Sequence, residues 1–86
     1  MRIDSHKSFL KAYARLSLTQ RRAVDDALMR FKNDRTEESL HDHALKGKMK
    51  SLRSFAASFD LRVIYREEGG FIMVVLIDVG THNQVY

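Results

Sequence analysis

The chain has 86 residues, which suits one domain with a modest core and excludes separate cofactor-binding and substrate domains. Its 15 Lys and Arg residues outnumber 11 acidic ones, and the formal net charge of +4 favours a polyanionic partner without choosing among nucleic acid, anionic membrane and acidic protein. There is no cysteine, so disulfides, thiolate metal sites and thiol nucleophiles are excluded. No signal peptide or membrane span is visible, and we expect a cytoplasmic protein.

The first half of the chain has the apolar spacing of two helices. Residues 1–4 are long enough only for a short edge strand, and Ser5 is a candidate cap for the first helix. Ser17 and Gln20 have the spacing of a capping box for a second helix that ends near Asn33. We therefore expect an αα-hairpin. Its apolar positions are Phe9, Leu10, Tyr13 and Leu16, then Ala23, Val24, Ala27, Leu28 and Phe31.

The second half changes to the two-residue period of β-strands. Residues 48–53 place lysines on one face of a first predicted strand, and residues 61–66 form a second. Residues 67–70 contain two glycines and predict a turn. The third strand, residues 71–79, is apolar on both faces and should lie inside the sheet. The predicted fold is α+β, with a short N-terminal strand and an αα-hairpin packed on a mainly antiparallel sheet of three to four strands.

Polar side chains surround the last two strands. Arg62 lies within one of them, and the other is followed by Gly80-Thr81-His82, with Tyr86 four residues further on. A small protein can spare few core positions for polar groups, so this pattern suggests a site that handles phosphate or protons. Given the surplus of positive charge, RNA is the most compatible partner.

These elements, in this order, resemble the RelE/ParE superfamily of bacterial type II toxins, and most of all its YafQ-like and RelE-like mRNA interferases. The specific part of the resemblance comprises the segments Asp42–Gly47, Asp60–Tyr65 and Gly80–Tyr86. It implies one RelE-like domain over residues 1–86 that cleaves ribosome-bound mRNA through attack of the 2′-hydroxyl. It also implies a cognate antitoxin as partner. We expect no metal, since the His41–His43 spacing is a weak ligand pattern, and no small-molecule cofactor or membrane partner.

The resemblance assigns roles to individual residues. His82 matches a histidine important for cleavage and is expected to protonate the leaving oxygen. Arg62 matches an arginine of RelE-like toxins and is expected to stabilise charge on the phosphate. Tyr86 matches the aromatic residue near the family's carboxyl end, where it would stack on a base, orient the ribose or assist proton transfer, with stacking preferred. His43 and Asp60 match YafQ-like positions, and either could be the general base, with His43 preferred.

The chain differs from YafQ-like enzymes at one active-site position, and it shares a lysine-rich segment with RelE-like toxins. YafQ-like enzymes carry a further active-site histidine where this chain has Ala56, so their whole mechanism cannot be copied, and Arg62 would compensate as in RelE-like toxins. Lys46, Lys48 and Lys50 resemble the lysine-rich RNA-binding segment of RelE-like toxins. Arg53 is included with them as a candidate RNA-binding residue.

Structural interpretations of the same residues stay open. His82 would then be a turn residue, Arg62 would pair with Glu67, Glu68 or Asp78, and the lysines would form a solvated edge. Two other functions also stay open. One is a ParE-like toxin that inhibits DNA gyrase. The other is a catalytically degenerate module that binds an antitoxin, which the Ala56 departure keeps open.

Overall fold

The computed structural model describes residues 1–86 and contains five strands and three α-helices. In chain order they are β1 (Arg2–Ser5), α1 (Lys7–Ala14), α2 (Leu18–Asn33), β2 (His43–Ala44), β3 (Arg53–Ser58), β4 (Leu61–Glu68), β5 (Met73–Thr81) and α3 (His82–Val85). The strands form one sheet in the order β1-β5-β4-β3-β2. All neighbours are antiparallel except the parallel pair β1–β5. This confirms the predicted α+β class, with the two-residue β2 as a fifth strand.

Both long helices begin at side-chain caps. The capping box of α2 is present as predicted: Gln20 N–H donates to Ser17 Oγ at 3.1 Å, and Ser17 N–H donates to Gln20 Oε1 at 2.9 Å. The cap of α1 lies one residue later than predicted. His6, not Ser5, accepts the Ser8 N–H through its Nδ1, because Ser5 is still paired in β1. None of the helices has the length and hydropathy needed to cross a bilayer.

The core lies between the long helices and one face of the sheet. Three aromatic rings form its centre: Phe31 of α2 stacks on Phe55 of β3 at 4.7 Å between centroids and meets Tyr65 of β4 edge-on at 5.1 Å. Such pairs add to the gain from burial. The other buried members of the core are Phe9, Val24, Ala27, Leu40, Ala57, Leu61, Val63, Val74, Leu76 and Val79.

The predicted strand over residues 48–53 is wrong. Residues Gly47–Met49 form a 3-10 turn that starts from a left-handed Gly47 (φ 67°), and the Leu52 N–H donates to the Met49 carbonyl at 2.8 Å. Because this turn uses the backbone groups a strand would need, extended structure begins only at Arg53. The predicted turn at residues 67–70 lies two residues later, at 69–72, because Glu67 and Glu68 still pair with β5. Gly69 and Gly70 begin this turn at φ 63° and 66°.

A buried carboxylate ties the segment before β2 to the sheet. The Asp42 side chain is 4% exposed and accepts hydrogen bonds from Arg35 at 2.9 Å, from Arg53 at 3.3 Å and from the Tyr65 hydroxyl. The Arg35 guanidinium also lies 3.6 Å from the centroid of Phe71. Burial, followed by the bond to Asp42, raises the pKa of Tyr65 above its ordinary value, so this hydroxyl remains a donor at neutral pH.

Candidate active site

The candidate site lies on the sheet face opposite the long helices, called here the site face. Strand pairing aligns His43, Ser54 and Ile64 across β2, β3 and β4, and it aligns Ala56, Arg62 and Gly80 across β3, β4 and β5. Directly paired residues share a face, and these alternate with core residues such as Phe55 and Val63. The sheet therefore brings His43, Arg62 and the start of α3 to one side of the molecule.

The short helix α3 packs across the site face on β5 and β4. Its first turn is held by Gln84, whose Oε1 accepts the Thr81 N–H at 2.8 Å. A Cβ on Gly80 would lie 2.7 Å from the same Oε1 and 3.1 Å from the Gln84 Cβ. A side chain at position 80 would displace Gln84, so glycine allows α3 to lie this close to the strand.

His82 is the first residue of α3, and Tyr86 directly follows its last residue. The His82 N–H donates to Asp60 Oδ1 at 3.3 Å, which links α3 to the turn between β3 and β4. The two rings meet edge-to-face at 4.6 Å between centroids, and the Tyr86 N–H donates to the His82 carbonyl at 3.0 Å. Both side chains are exposed. The structure thus brings together three of the predicted site residues: His82, Tyr86 and Asp60.

Ser54 connects this group to His43. The Tyr86 hydroxyl donates to Ser54 Oγ, and Ser54 pairs with His43 across the sheet. Ser54 and Ile64 are fully buried although neither belongs to the helix-side core, because α3 and Tyr86 lie on this face. The sequence interpretation did not identify Ser54. A strand assigned to residues 53–58 would have pointed to it as the polar residue of that segment buried opposite the core.

His43 has a defined tautomer. Its Nδ1 lies 2.8 Å from the His41 carbonyl oxygen, which can only accept a hydrogen bond. Nδ1 therefore carries the proton, and in the neutral ring Nε2 carries the free lone pair. The imidazole is exposed, so this lone pair is open to an incoming proton donor.

Arg62 is partly exposed, and one of its terminal nitrogens binds the turn that precedes β4. Its Nη1 donates to the carbonyl oxygens of Ser58 at 2.9 Å, Phe59 at 3.2 Å and Leu61 at 3.3 Å. The predicted alternative, an ion pair with an acidic residue across the sheet, is not found. Nε and Nη2 make no hydrogen bond within the protein and are not buried, so both can bind an external acceptor. Ala56 is the β3 partner of Arg62, and its methyl group offers neither a donor nor an acceptor.

The basic residues divide between two places. Lys46, Lys48 and Lys50 are exposed on the loop that joins β2 to β3, around the Gly47 turn. Arg53 lies on the helix side, where Nε donates to the Tyr65 hydroxyl at 3.0 Å and Nη2 bonds Asp42. The lysines are free to contact a polyanion, whereas Arg53 has a structural role in this arrangement. No cluster of three potential metal-ligating side chains is present.

Comparison with solved structures finds the same fold in bacterial toxins. The chain is similar to YafQ from E. coli, with a TM-score of 0.76 and 19% identity over 100% of this chain and 99% of that one. It is also similar to a YoeB/ParE toxin from Agrobacterium tumefaciens, with a TM-score of 0.74 and 20% identity over 95% and 99%. The E. coli DinJ–YafQ toxin-antitoxin complex gives a TM-score of 0.69 and 22% identity over 98% and 94%.

Comparison with protein families gives a more specific result than these structural similarities. No curated protein matches the chain. The family described as bacterial toxin of type II toxin-antitoxin system, YafQ, matches over residues 1–86, the full length of the sequence. The fold and the family match agree, and the chain belongs to the YafQ family of type II toxin-antitoxin system toxins.

Proposed function

We propose that this toxin is a metal-independent endoribonuclease that cleaves mRNA on the ribosome and is neutralised by a cognate antitoxin. The observation that carries the proposal is the placement of His82, His43 and the free donors of Arg62 on one face of the sheet. RNA cleavage without a metal needs a base, an acid and a cation near the phosphate. This face offers all three.

His43 is the better candidate for the general base. Its Nδ1 is held by the His41 carbonyl, so the Nε2 lone pair is available to take the proton of a ribose 2′-hydroxyl. The 2′-oxygen then attacks the adjacent phosphorus. Asp60 is less suited to this role because its Oδ1 already accepts the His82 N–H.

His82 acts on the leaving 5′-oxygen, and Arg62 acts on the phosphate. As the bond from phosphorus to the 5′-oxygen breaks, His82 gives its proton to that oxygen, leaving a 2′,3′-cyclic phosphate and a 5′-hydroxyl. The Nε and Nη2 groups of Arg62 bind the phosphate oxygens, whose charge increases in the transition state. Tyr86 is fixed by Ser54 and presents its ring to a base.

The exposed lysines would contribute affinity. Lys46, Lys48 and Lys50 extend from the β2–β3 loop, next to the strand that carries His43. Lysines contact phosphates without reading sequence, so this loop would hold mRNA or ribosomal RNA in place while the site face performs the chemistry.

The test is primer extension on mRNA in a reconstituted translation system, with and without ribosomes. We expect discrete cuts that require ribosomes and that fall at least 100-fold in rate in His82→Ala and Arg62→Ala. Tyr86→Phe should keep the base contact and lose only the bond to Ser54. The same comparison is made in cells that express the toxin. Growth that stops while the cellular mRNA stays intact would contradict the proposal and favour gyrase inhibition. An intact message with normal growth would favour a non-catalytic antitoxin-binding module.

A further inference from the structure

Phe59 projects from the turn between β3 and β4 and is 98% exposed. Single exposed apolar residues are ordinary on protein surfaces, so exposure alone indicates nothing. The position of this ring is more informative. Phe59 directly precedes Asp60, which binds the His82 N–H, and its own carbonyl oxygen accepts from Arg62 Nη1.

A groove of about 410 Å³ lies beside this ring. Its lining residues are Phe59 and Arg62, the small residues 56–58, and Arg30, Ser39 and His41. No acidic side chain lines it. Arg30 is already balanced by Asp26 and Glu37 at 3.5 and 3.6 Å, so Arg62 supplies the cation that is free to bind a ligand.

The groove is continuous with the candidate site through two residues. Arg62 belongs to both, since it is paired with Gly80 beneath α3. His41 lines the groove, and its carbonyl oxygen fixes the tautomer of His43. Arg62 and His41 therefore place the groove next to the candidate site, where it can receive RNA on one side of the scissile phosphate.

We propose that this groove binds the nucleotide next to the scissile phosphate, with its base stacked on Phe59, while Arg62 holds the scissile phosphate itself. The inference rests on the proposed function. An exposed aromatic ring beside an unpaired guanidinium is the combination that single-stranded RNA sites use, because every base offers a π-face to stack. The volume lies within the range of about 300–1,000 Å³ of small-ligand sites. Stacking of this kind favours a large base over a small one and does not read hydrogen-bonding edges.

The test is equilibrium binding of eight-nucleotide RNAs to the His82→Ala toxin, which should hold the RNA without cutting it. One RNA is complete, and the others each lack a base at one position beside the site. We expect loss of the stacked base to weaken binding roughly tenfold, and Phe59→Ala to weaken binding of the complete RNA by a similar factor. The two losses should not add, and Phe59→Trp should restore binding. Ile72→Ala is the matched control, because Ile72 is 73% exposed on the turn at the other end of β4.

Three results would overturn the inference: equal binding of the complete RNA by the parent and Phe59→Ala toxins, additive losses, or no measurable binding of any RNA. If Phe59→Ala leaves RNA binding intact but weakens binding of the antitoxin, the groove is a protein interface. Cleavage by the chain with His82 intact is measured separately. A toxin that binds RNA through Phe59 yet never cuts it would refute the proposed reaction and leave the subsite standing.

Discussion

The Asp60 carboxylate accepts a hydrogen bond from the backbone N–H of His82 at 3.3 Å. It thereby joins the β3–β4 turn to the first residue of α3. The carboxylate satisfies one of the backbone N–H groups that the first turn of a helix leaves without an intrahelical partner. Asp60 is therefore suited to position His82, and this role can be separated by experiment from that of a general base.

Asp60→Asn should retain most of the cleavage activity, whereas Asp60→Ala should lose about tenfold. The asparagine side chain keeps an oxygen that can accept the His82 N–H, and alanine does not. Rates of mRNA cleavage with saturating ribosomes would distinguish the two. A loss in Asp60→Asn as large as in His82→Ala would instead identify Asp60 as the base, because an amide cannot take a proton from the ribose.

Gly80→Ala should lower activity more than stability. The added methyl would displace Gln84 from its bond to the Thr81 N–H and shift α3 away from β5. Loss of a cap costs about 1 kcal/mol, which most small domains survive. Thermal unfolding and cleavage would be measured on the same preparation. Wild-type activity in this variant would show that the position of α3 is unimportant for the chemistry.

Asp42→Asn should be strongly destabilising. The Asp42 side chain is 4% exposed and lies between the guanidinium groups of Arg35 and Arg53. Removing one partner of a buried ion pair costs about 3–5 kcal/mol, and the lower end is expected because both arginines are partly exposed. Asp26→Asn is the control, since Asp26 is 74% exposed and its pair with Arg30 should contribute a few tenths of a kcal/mol. Urea unfolding curves with equal midpoints for the two variants would contradict the structural role of Asp42.

Replacing Lys46, Lys48 and Lys50 together by alanine should weaken RNA binding and reduce its dependence on salt. Each phosphate contact to single-stranded RNA contributes about 0.7 to the slope of log K against log salt, so the slope should fall by about 2. Replacing Lys7 and Lys11, which lie on α1, should leave the slope unchanged. If both sets of changes have the same effect, the β2–β3 loop is not a specific RNA contact.

Much of the scaffold could be predicted from local signals. The Ser17–Gln20 capping box and the double glycine at residues 69–70 each act within a few residues, and the structure contains both the cap and a turn that begins at the glycines. Strand β3 was missed because its residues, Arg-Ser-Phe-Ala-Ala-Ser, include few with high strand propensity. The lysines of residues 46–50 alternate in the sequence but lie around the Gly47 turn and not along a strand. The position of β3 and the turn at Gly47 both become visible only in the folded structure.

The candidate site residues could be named from the sequence, but their arrangement could not. The rings of His82 and Tyr86 are in contact because residues 82–85 form the short helix α3, which the sequence interpretation did not include. The contact of Tyr86 with Ser54 joins residues 32 positions apart and depends on the pairing of three strands. Arg53 shows that the sequence can also suggest a functional role that the fold does not support. Its charge suggested RNA binding, but its strand position directs it to the helix side, beside Asp42.

The central claim is that His82 protonates the leaving oxygen, and a change of leaving group tests it most directly. Cleavage would be measured for the wild-type toxin and for His82→Ala on an mRNA with a normal 5′-oxygen at the cut site, and on one with sulfur in its place. A thiolate leaves without a proton, so we expect His82→Ala to be at least 100-fold slow on the oxygen substrate and close to wild type on the sulfur substrate. His6→Ala, which removes the exposed histidine that caps α1, should cleave both normally. Equal losses on the two substrates would contradict the assignment of His82 as the general acid.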